Sequence, residues 1–183
     1  GADQERSAAT GVDGDPASNT ANGAGAVYIF DKSATGWTQT AYLKASNTNA
    51  ADLFGEAVAL SGDGNTLSVG ARLEDAGTDG VGGNEADNSV LSTGAVYLFH
   101  HDGTQWTQSA YVKATNSDAD DQFGTALGLS ADGTTLAVGA PGEDSNALGI
   151  GGDQSNNARS GAGAVYVYRR GAAPADWTPE AYV

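Results

Sequence analysis

The stretch Gly25-Ala26-Val27-Tyr28-Ile29-Phe30 decides the fold, because the chain repeats its pattern twice more. It returns as Gly94-Ala95-Val96-Tyr97-Leu98-Phe99 and as Gly163-Ala164-Val165-Tyr166-Val167-Tyr168, each time 69 residues further on. A fixed period of this size indicates a repeat architecture, in which each unit packs against its neighbours. The chain of 183 residues therefore contains a little over two and a half units.

Other parts of the sequence repeat with the same offset, and they set the limits of the units. The matches include Glu5 with Glu74 and Glu143, Trp37-Thr38-Gln39 with Trp106-Thr107-Gln108, and Asp52-Leu53-Phe54-Gly55 with Asp121-Gln122-Phe123-Gly124. Trp177 follows Trp106 by 71 residues, which places an insertion of two residues in the preceding turn. We predict one repeat domain made of a half unit (residues 1–45) and two complete units (46–114 and 115–183).

Each complete unit is predicted to form four short strands. In the middle unit the apolar segments are residues 54–61, 66–71, 94–99 and 106–114, and none has a long helical stripe. Asp63-Gly64 is typical of a tight hairpin between the first two strands, and residues 72–93 are predicted to form a long irregular loop. Repeated four-stranded antiparallel sheets predict an all-β fold of β-propeller blades, about two and a half in number.

The faces of the strands carry further information. Residues 27–30 are apolar on both faces, so this strand is expected to be covered on both sides. Residues 54–60 place Phe54, Val58 and Leu60 on one face and only small residues on the other. A face of small residues suits the strand nearest the crowded axis of a propeller.

Composition excludes several classes of partner. The chain has 23 acidic and 8 basic residues, for a net charge of −15, which argues against nucleic acid and anionic membrane surfaces. No apolar segment approaches the roughly 20 residues of a membrane span. The absence of Cys is compatible with any compartment, and the absence of both Cys and Met suits an oxidising exterior.

These motifs together resemble the FG-GAP repeats of integrin-α-type β-propellers. The resemblance rests on Phe54-Gly55, the Asp63-Gly64 hairpin, the Val-Gly-Ala that ends at Ala71, and the repeated Gly-Ala-Val-Tyr. It is closest to the bacterial form, in which a Trp-x-Gln-x-Ala-Tyr-[Leu/Val]-Lys-Ala segment forms the outermost strand. The resemblance implies that residues 1–45 supply the third and fourth strands of a blade that lacks its first two.

Ten strands do not close a propeller, which needs at least four blades. The strand at residues 25–30 would then present an unpaired edge, and such edges invite pairing. We predict that another chain, or a segment missing from this one, pairs with this edge.

Calcium is the cofactor that the resemblance implies. The hairpins at Asp63 and Asp132 hold one carboxylate each, whereas calcium takes six to eight oxygen ligands, so they are poor candidates. The repeated carboxylates beside the long loops are better candidates: Asp52, Glu74, Asp75, Asp121, Glu143 and Asp144. The alternative is that these carboxylates cap turns by accepting backbone N–H groups. No other cofactor is expected.

The sequence offers no catalytic residues. The two histidines, His100 and His101, are adjacent in one hairpin and are not repeated, so no nucleophile–base pair can be named. Trp37, Trp106 and Trp177 could stack on sugar rings, but their fixed place in the repeat favours packing between blades.

We therefore expect a non-enzymatic extracellular propeller segment for adhesion, recognition or surface scaffolding. Its protein or glycan ligand would bind to loops at one rim, and the long loops are the leading candidates. One alternative is a structural subunit that assembles into a ring or filament by strand complementation between chains. Another is a fragment of a propeller enzyme.

Overall fold

The chain folds into ten β-strands without helices. A computed structural model describes all residues from 1 to 183. The strands are β1 (Val27–Ser33), β2 (Gly36–Leu43), β3 (Val58–Leu60), β4 (Thr66–Ala71), β5 (Ala95–His101), β6 (Trp106–Val112), β7 (Ala126–Leu129), β8 (Thr135–Ala140), β9 (Ala164–Arg170) and β10 (Trp177–Tyr182). The structure has no helix that could cross a membrane.

The strands form three antiparallel sheets whose order follows the chain. The first sheet is β1-β2, the second is β3-β4-β5-β6 and the third is β7-β8-β9-β10. In the first sheet, Ala2 bridges Ala26, which repeats the pairing of Ala71 with Ala95 in the second sheet. The predicted fold class is confirmed: the molecule is all-β, with the blade-like sheets of a partial propeller.

The innermost strands are shorter than predicted, because the Phe-Gly dipeptides leave their own sheet. β3 begins at Val58 rather than at residue 54. Phe54 instead forms a parallel bridge with Gly25 of the first sheet. Gly55 turns the chain back with a φ of +93°. Glycine adopts this φ readily because it has no Cβ, whereas other residues disfavour it. Each Phe-Gly turn therefore joins one sheet to the sheet before it.

The hairpin between β3 and β4 is a four-residue turn at residues 62–65. The N–H of Gly64 donates to the carbonyl of Ser61 at 3.0 Å, and Gly64 alone takes a positive φ (+75°). Asp63 contributes through its side chain, which accepts from the Ser61 hydroxyl at 2.5 Å and from the Asn65 N–H at 3.0 Å. The Asp63 side chain thus caps the turn and Gly64 supplies its one positive φ angle. The turn does not use two positive φ angles.

Two hydrophobic cores lie between the three sheets. The first core joins the first two sheets and contains Val27, Leu43, Phe54, Tyr97, Phe99 and Trp106, among others. The second joins the second and third sheets and contains Val96, Val112, Phe123, Tyr166, Tyr168 and Trp177, among others. In each core, an aliphatic face of one sheet packs against an aromatic face of the next. The middle sheet is therefore covered on both sides.

The prediction that residues 27–30 are covered on both faces is wrong for this chain. Val27 and Ile29 pack into the first core, but Phe30 on the other face is 51% exposed. Its counterpart Phe99 is fully buried. The reason is that no sheet stands before β1, so its aromatic face has nothing to pack against.

Candidate functional site

The long loops and the links between sheets lie together at one end of the sheets, which we call the loop end. The loops are residues 3–24, 72–93 and 141–162, and the links are residues 44–57 and 113–125. The short hairpin turns lie at the opposite end, which we call the hairpin end. Antiparallel pairing of successive strands fixes this arrangement. All segments predicted to bind a ligand therefore share one rim.

The long loops are held against the outer strands by backbone hydrogen bonds. In the second loop, Val81 bridges Val112, and the Lys113 N–H donates to the Gly80 carbonyl at 2.7 Å. The first loop repeats the bridge with Val12 and Leu43. In the first loop, the Lys44 N–H likewise donates to the Gly11 carbonyl at 2.8 Å. Further bonds run from the N–H groups of Gly80, Gly82, Gly11 and Asp13 to the carbonyls of Ala114, Tyr111, Ala45 and Tyr42, respectively. These loops are consequently ordered extensions of the sheets.

Two buried ion pairs fasten the loops more firmly. Lys113 Nζ lies 3.0 Å from Glu74 Oε2, and both side chains are fully buried. Lys44 makes the same contact with Glu5 at 3.0 Å. Burial lowers the pKa of Lys113, although the nearby Glu74 carboxylate opposes this effect. Burying these charges costs free energy that only a close pair can offset, so each loop must hold its glutamate in place.

Sequence reasoning missed these lysines, although a signal was present. A lysine directly after the apolar outer strand follows the repeated glutamate by the same interval in the first two copies, as Glu5 with Lys44 and Glu74 with Lys113. A charged residue at a fixed place in an apolar segment is expected to have a buried partner of opposite charge.

Glu143, the third copy, is also buried, and the position that aligns with Lys113 lies beyond the 183 residues described. Its Oε2 accepts from the Tyr182 hydroxyl at 2.7 Å and from the Ser145 N–H at 3.0 Å. Its Oε1 accepts from Asn116 Nδ2 at 3.2 Å. Burial raises the pKa of Tyr182 to about 12, and the hydrogen bond to Glu143 adds to the effect. Within the described residues, Glu143 therefore accepts from neutral donors only.

In the link before each complete sheet, an asparagine forms hydrogen bonds with the long loop of that sheet. Asn47 Oδ1 accepts from the Tyr97 hydroxyl at 2.6 Å, and its Nδ2 donates to the Glu85 carbonyl at 2.6 Å. Asn116 repeats both contacts with Tyr166 and Gln154. The asparagine therefore ties together a strand of the next sheet and the middle of its long loop.

Asp52 and Asp121 lie buried at the start of the Phe-Gly turns. Each caps its own turn: Asp52 Oδ2 accepts from the Asn49 N–H at 3.2 Å, and Asp121 Oδ2 accepts from the Asp118 N–H at 2.9 Å. Burial, aided by the charge of Glu74, raises the pKa of Asp52 to about 7. Burial raises the pKa of Asp121 to about 6.

Asp75 and Asp144 cap the returns of their loops. Asp75 Oδ1 accepts from the Ser92 N–H at 2.8 Å, and Asp144 Oδ1 accepts from the Gly161 N–H at 2.6 Å. Nowhere do three or more acidic or histidine side chains converge as ligands for one metal ion. As placed, these residues do not fit a calcium ion, which would require the loops to rearrange. Calcium at these carboxylates stays a prediction.

The aromatic residues of the complete sheets pack between sheets, as the repeat predicts. Trp106 and Trp177 are buried in the two cores, and the Phe54 ring contacts Tyr97 edge-on at 5.4 Å. Trp37 differs, because it is 67% exposed on the uncovered face of the first sheet. Packing of the tryptophans is thus confirmed for two of the three copies.

The histidines lie at the hairpin end, far from the loops. His101 stacks near Trp106 at 5.2 Å between ring centroids. Asp102, in the same turn, accepts N–H groups of Thr104 and Gln105. Hydrogen bonds from Thr104 and Gln105 lower the pKa of Asp102 to about 2. These contacts stabilise the hairpin turn between β5 and β6.

Comparison with known families gives one match. A family model described as the FG-GAP repeat matches residues 37–99, which cover most of β2, all of β3 and β4, the long loop after β4 and most of β5. No curated protein matches the chain. The matched pattern recurs at the 69-residue offset and folds into stacked sheets joined by Phe-Gly turns. The chain therefore contains an FG-GAP repeat at residues 37–99.

Proposed function

We propose that this protein is a non-enzymatic recognition module that acts outside the cell and binds its ligand at the loop end. The observation that carries the proposal is the anchoring of long loops at equivalent points of a rigid repeated frame. Such a frame holds loop tips of different sequence at fixed positions, which is how repeat proteins present binding surfaces. Its role would be adhesion, recognition or surface scaffolding.

The exposed chemistry of the loop end favours a basic protein surface as the ligand. Exposed carboxylates project from all three loops, at Asp13, Asp15, Asp79 and Asp153. Each accepts a backbone N–H and is thereby held in position. With a net charge of −15, the protein attracts cationic partners over several ångströms and repels anionic ones.

A charge-matched pair of variants tests this proposal. The loop-end variant changes Asp13, Asp15, Asp79 and Asp153 to Asn, which keeps the hydrogen-bond acceptors and removes four charges. The control variant changes four exposed aspartates towards the hairpin end, Asp31, Asp63, Asp102 and Asp132, to Asn. Binding to immobilised poly-lysine at 0.15 M salt is the readout, with poly-glutamate as the negative probe.

The loop-end variant should lose about tenfold or more in affinity for poly-lysine, while the control variant should lose less than about threefold. Equal losses in the two variants would show that only the total charge matters. The proposed binding rim would then be wrong.

A second candidate function is assembly through the first sheet. One edge of β1 has no neighbouring strand beyond the bridge at Ala26, and Phe30 and Trp37 are exposed beside it. Pairing of another chain or segment along residues 25–30 would satisfy this edge and cover both rings. Native mass spectrometry across a hundredfold range of concentration tests the idea. A single species near 18.3 kDa throughout would argue against assembly.

A further inference from the structure

An amine and a carboxamide meet at one buried carboxylate of the middle sheet. Lys113 Nζ lies 3.0 Å from Glu74 Oε2, and Asn47 Nδ2 donates to Glu74 Oε1 at 3.2 Å. The side chains of Lys113 and Glu74 are fully buried, and Asn47 is half-buried. The two groups are therefore held on the two oxygens of one carboxylate, in a site that largely excludes water.

The carbonyl oxygen of the same carboxamide has a buried donor. The Tyr97 hydroxyl donates to Asn47 Oδ1 at 2.6 Å, and Tyr97 is fully buried. Burial raises the pKa of Tyr97 well above its ordinary value, so the hydroxyl keeps its proton at neutral pH. A fixed donor at a carbonyl oxygen stabilises the negative charge that develops there when a nucleophile attacks the carbon.

The amine is placed to act as that nucleophile. Burial lowers the pKa of Lys113, which raises the fraction of neutral amine, although Glu74 opposes this effect. The ammonium group can pass a proton to Glu74 along their hydrogen bond. The four-carbon stem of a lysine is flexible, so Nζ can turn from Glu74 towards Cγ of Asn47. Groups held together in this way react far faster than the same groups free in solution.

Among the described residues, only the middle sheet has the complete set. Lys44 forms a buried pair with Glu5, but the position where an asparagine would align precedes residue 1. Glu143 accepts from an asparagine, Asn116, but the position where a lysine would align lies beyond residue 183. The two incomplete sets serve as internal controls.

We propose that Lys113 and Asn47 form an intramolecular isopeptide bond. Lys113 Nζ attacks Cγ of Asn47, a C–N bond forms there, and the bond from Cγ to Nδ2 breaks. Of the two protons that Nζ gives up, one passes by way of Glu74 to Nδ2, which leaves as ammonia. The other remains on Glu74, so no unpaired charge stays buried. The reaction needs no oxidant or reductant.

The product keeps the hydrogen bonds of the site. The new amide N–H can donate to Glu74, and the carbonyl oxygen keeps its bond from Tyr97. The cross-link joins the link after the first sheet to the residue that follows β6, so the first two sheets are tied covalently. Such a cross-link constrains the unfolded chain. This inference goes beyond the proposed rim function and does not depend on it.

A tryptic map of the purified protein, denatured before digestion, tests the proposal. Without the bond, cleavage at Lys44, Arg72 and Lys113 releases the peptides 45–72 and 73–113. With the bond, trypsin does not cleave at Lys113, and one branched peptide joins 45–72 to 73–159. Its mass should be about 17 Da below the sum of the two linear peptides, because ammonia is lost. Cleavage at Lys44 should be complete and is the internal control.

Tyr97→Phe and Tyr166→Phe are a matched pair of variants. Each removes a hydroxyl that donates to an asparagine at 2.6 Å, but only Tyr97 belongs to the set that includes a lysine. The branched fraction is measured at fixed times after cell-free synthesis. Tyr97→Phe should form the bond about tenfold or more slowly, and Tyr166→Phe should form it at the native rate.

Three results would overturn the proposal. The first is a native protein of full sequence mass that releases the peptide 73–113 completely. The second is a loss of about 17 Da without the branched peptide, which would place the loss of ammonia at another asparagine. The third is an equal rate of bond formation in the two tyrosine variants. None of these results bears on poly-lysine binding at the loop end.

Discussion

The middle and third sheets have closely similar sequences but differ in what covers the aliphatic face. Val96 and Val112 are buried beneath the third sheet, whereas Val165 and Val183 face solvent. The strands of each sheet therefore follow from its own sequence, whereas the burial of its aliphatic face depends on the sheet that packs against it.

Replacing the equivalent phenylalanines on the aromatic faces of the first and middle sheets should give the largest difference in the free energy of unfolding. Phe99→Ala is expected to cost about 3–5 kcal/mol, because it leaves a cavity in the first core. Phe30→Ala, at the same repeat position but 51% exposed, should cost less than about 1 kcal/mol. Urea unfolding measures both, and equal costs would mean that the face of Phe30 is covered in solution.

The buried glutamates offer a second contrast. Glu74→Gln leaves the buried ammonium of Lys113 without its counter-ion and should cost about 3 kcal/mol. Glu143→Gln removes a charge that has only neutral donors, so its cost should stay below about 1.5 kcal/mol. Thermal unfolding of the two variants side by side checks the prediction. A larger cost at Glu143 would refute it.

The carboxyl groups of Asp52 and Asp121, which cap the Phe-Gly turns, should make the stability of the protein depend on pH. The pKa of Asp52 is raised to about 7 and that of Asp121 to about 6, so both favour the folded state when protonated. Their contribution is complete below the unfolded value near 4 and is lost as pH rises through 6 and 7. Stability should therefore fall by on the order of 2 kcal/mol between pH 5 and pH 8.

The control is Asp52→Asn, which retains an acceptor for the Asn49 N–H and no longer titrates. This variant should show a flatter profile between pH 5 and pH 8. An unchanged slope would assign the pH dependence to other groups.

Calcium should have the smallest effect on stability. The candidate carboxylates already accept N–H groups or pair with lysine, so an ion would have to displace these contacts. A calcium site at these residues predicts a melting temperature that rises with 2 mM calcium and returns to its starting value with chelator. The capping role predicts a shift below about 1 °C.

The repeat made the fold predictable, while the contacts between units were harder to foresee. The spacing of Gly-Ala-Val-Tyr identified the strands, since alternation and turn residues are local signals. The place of Phe54 was missed, because its pairing with Gly25 belongs to the neighbouring sheet. The pairing of Glu74 with Lys113 was also missed, because it joins residues far apart in the chain. Both depend on how the units stack, which strand patterns do not specify.

Hydrogen exchange of the loop glycines tests the central claim that the sheets hold the loops in order. The N–H of Gly82 bonds to Tyr111 in the outer strand of the middle sheet, and that of Gly80 bonds to Ala114 just after this strand. Both should exchange about a hundredfold or more slower than in an unstructured chain. Exchange of Gly80 and Gly82 at the rate of an unstructured chain would contradict the account.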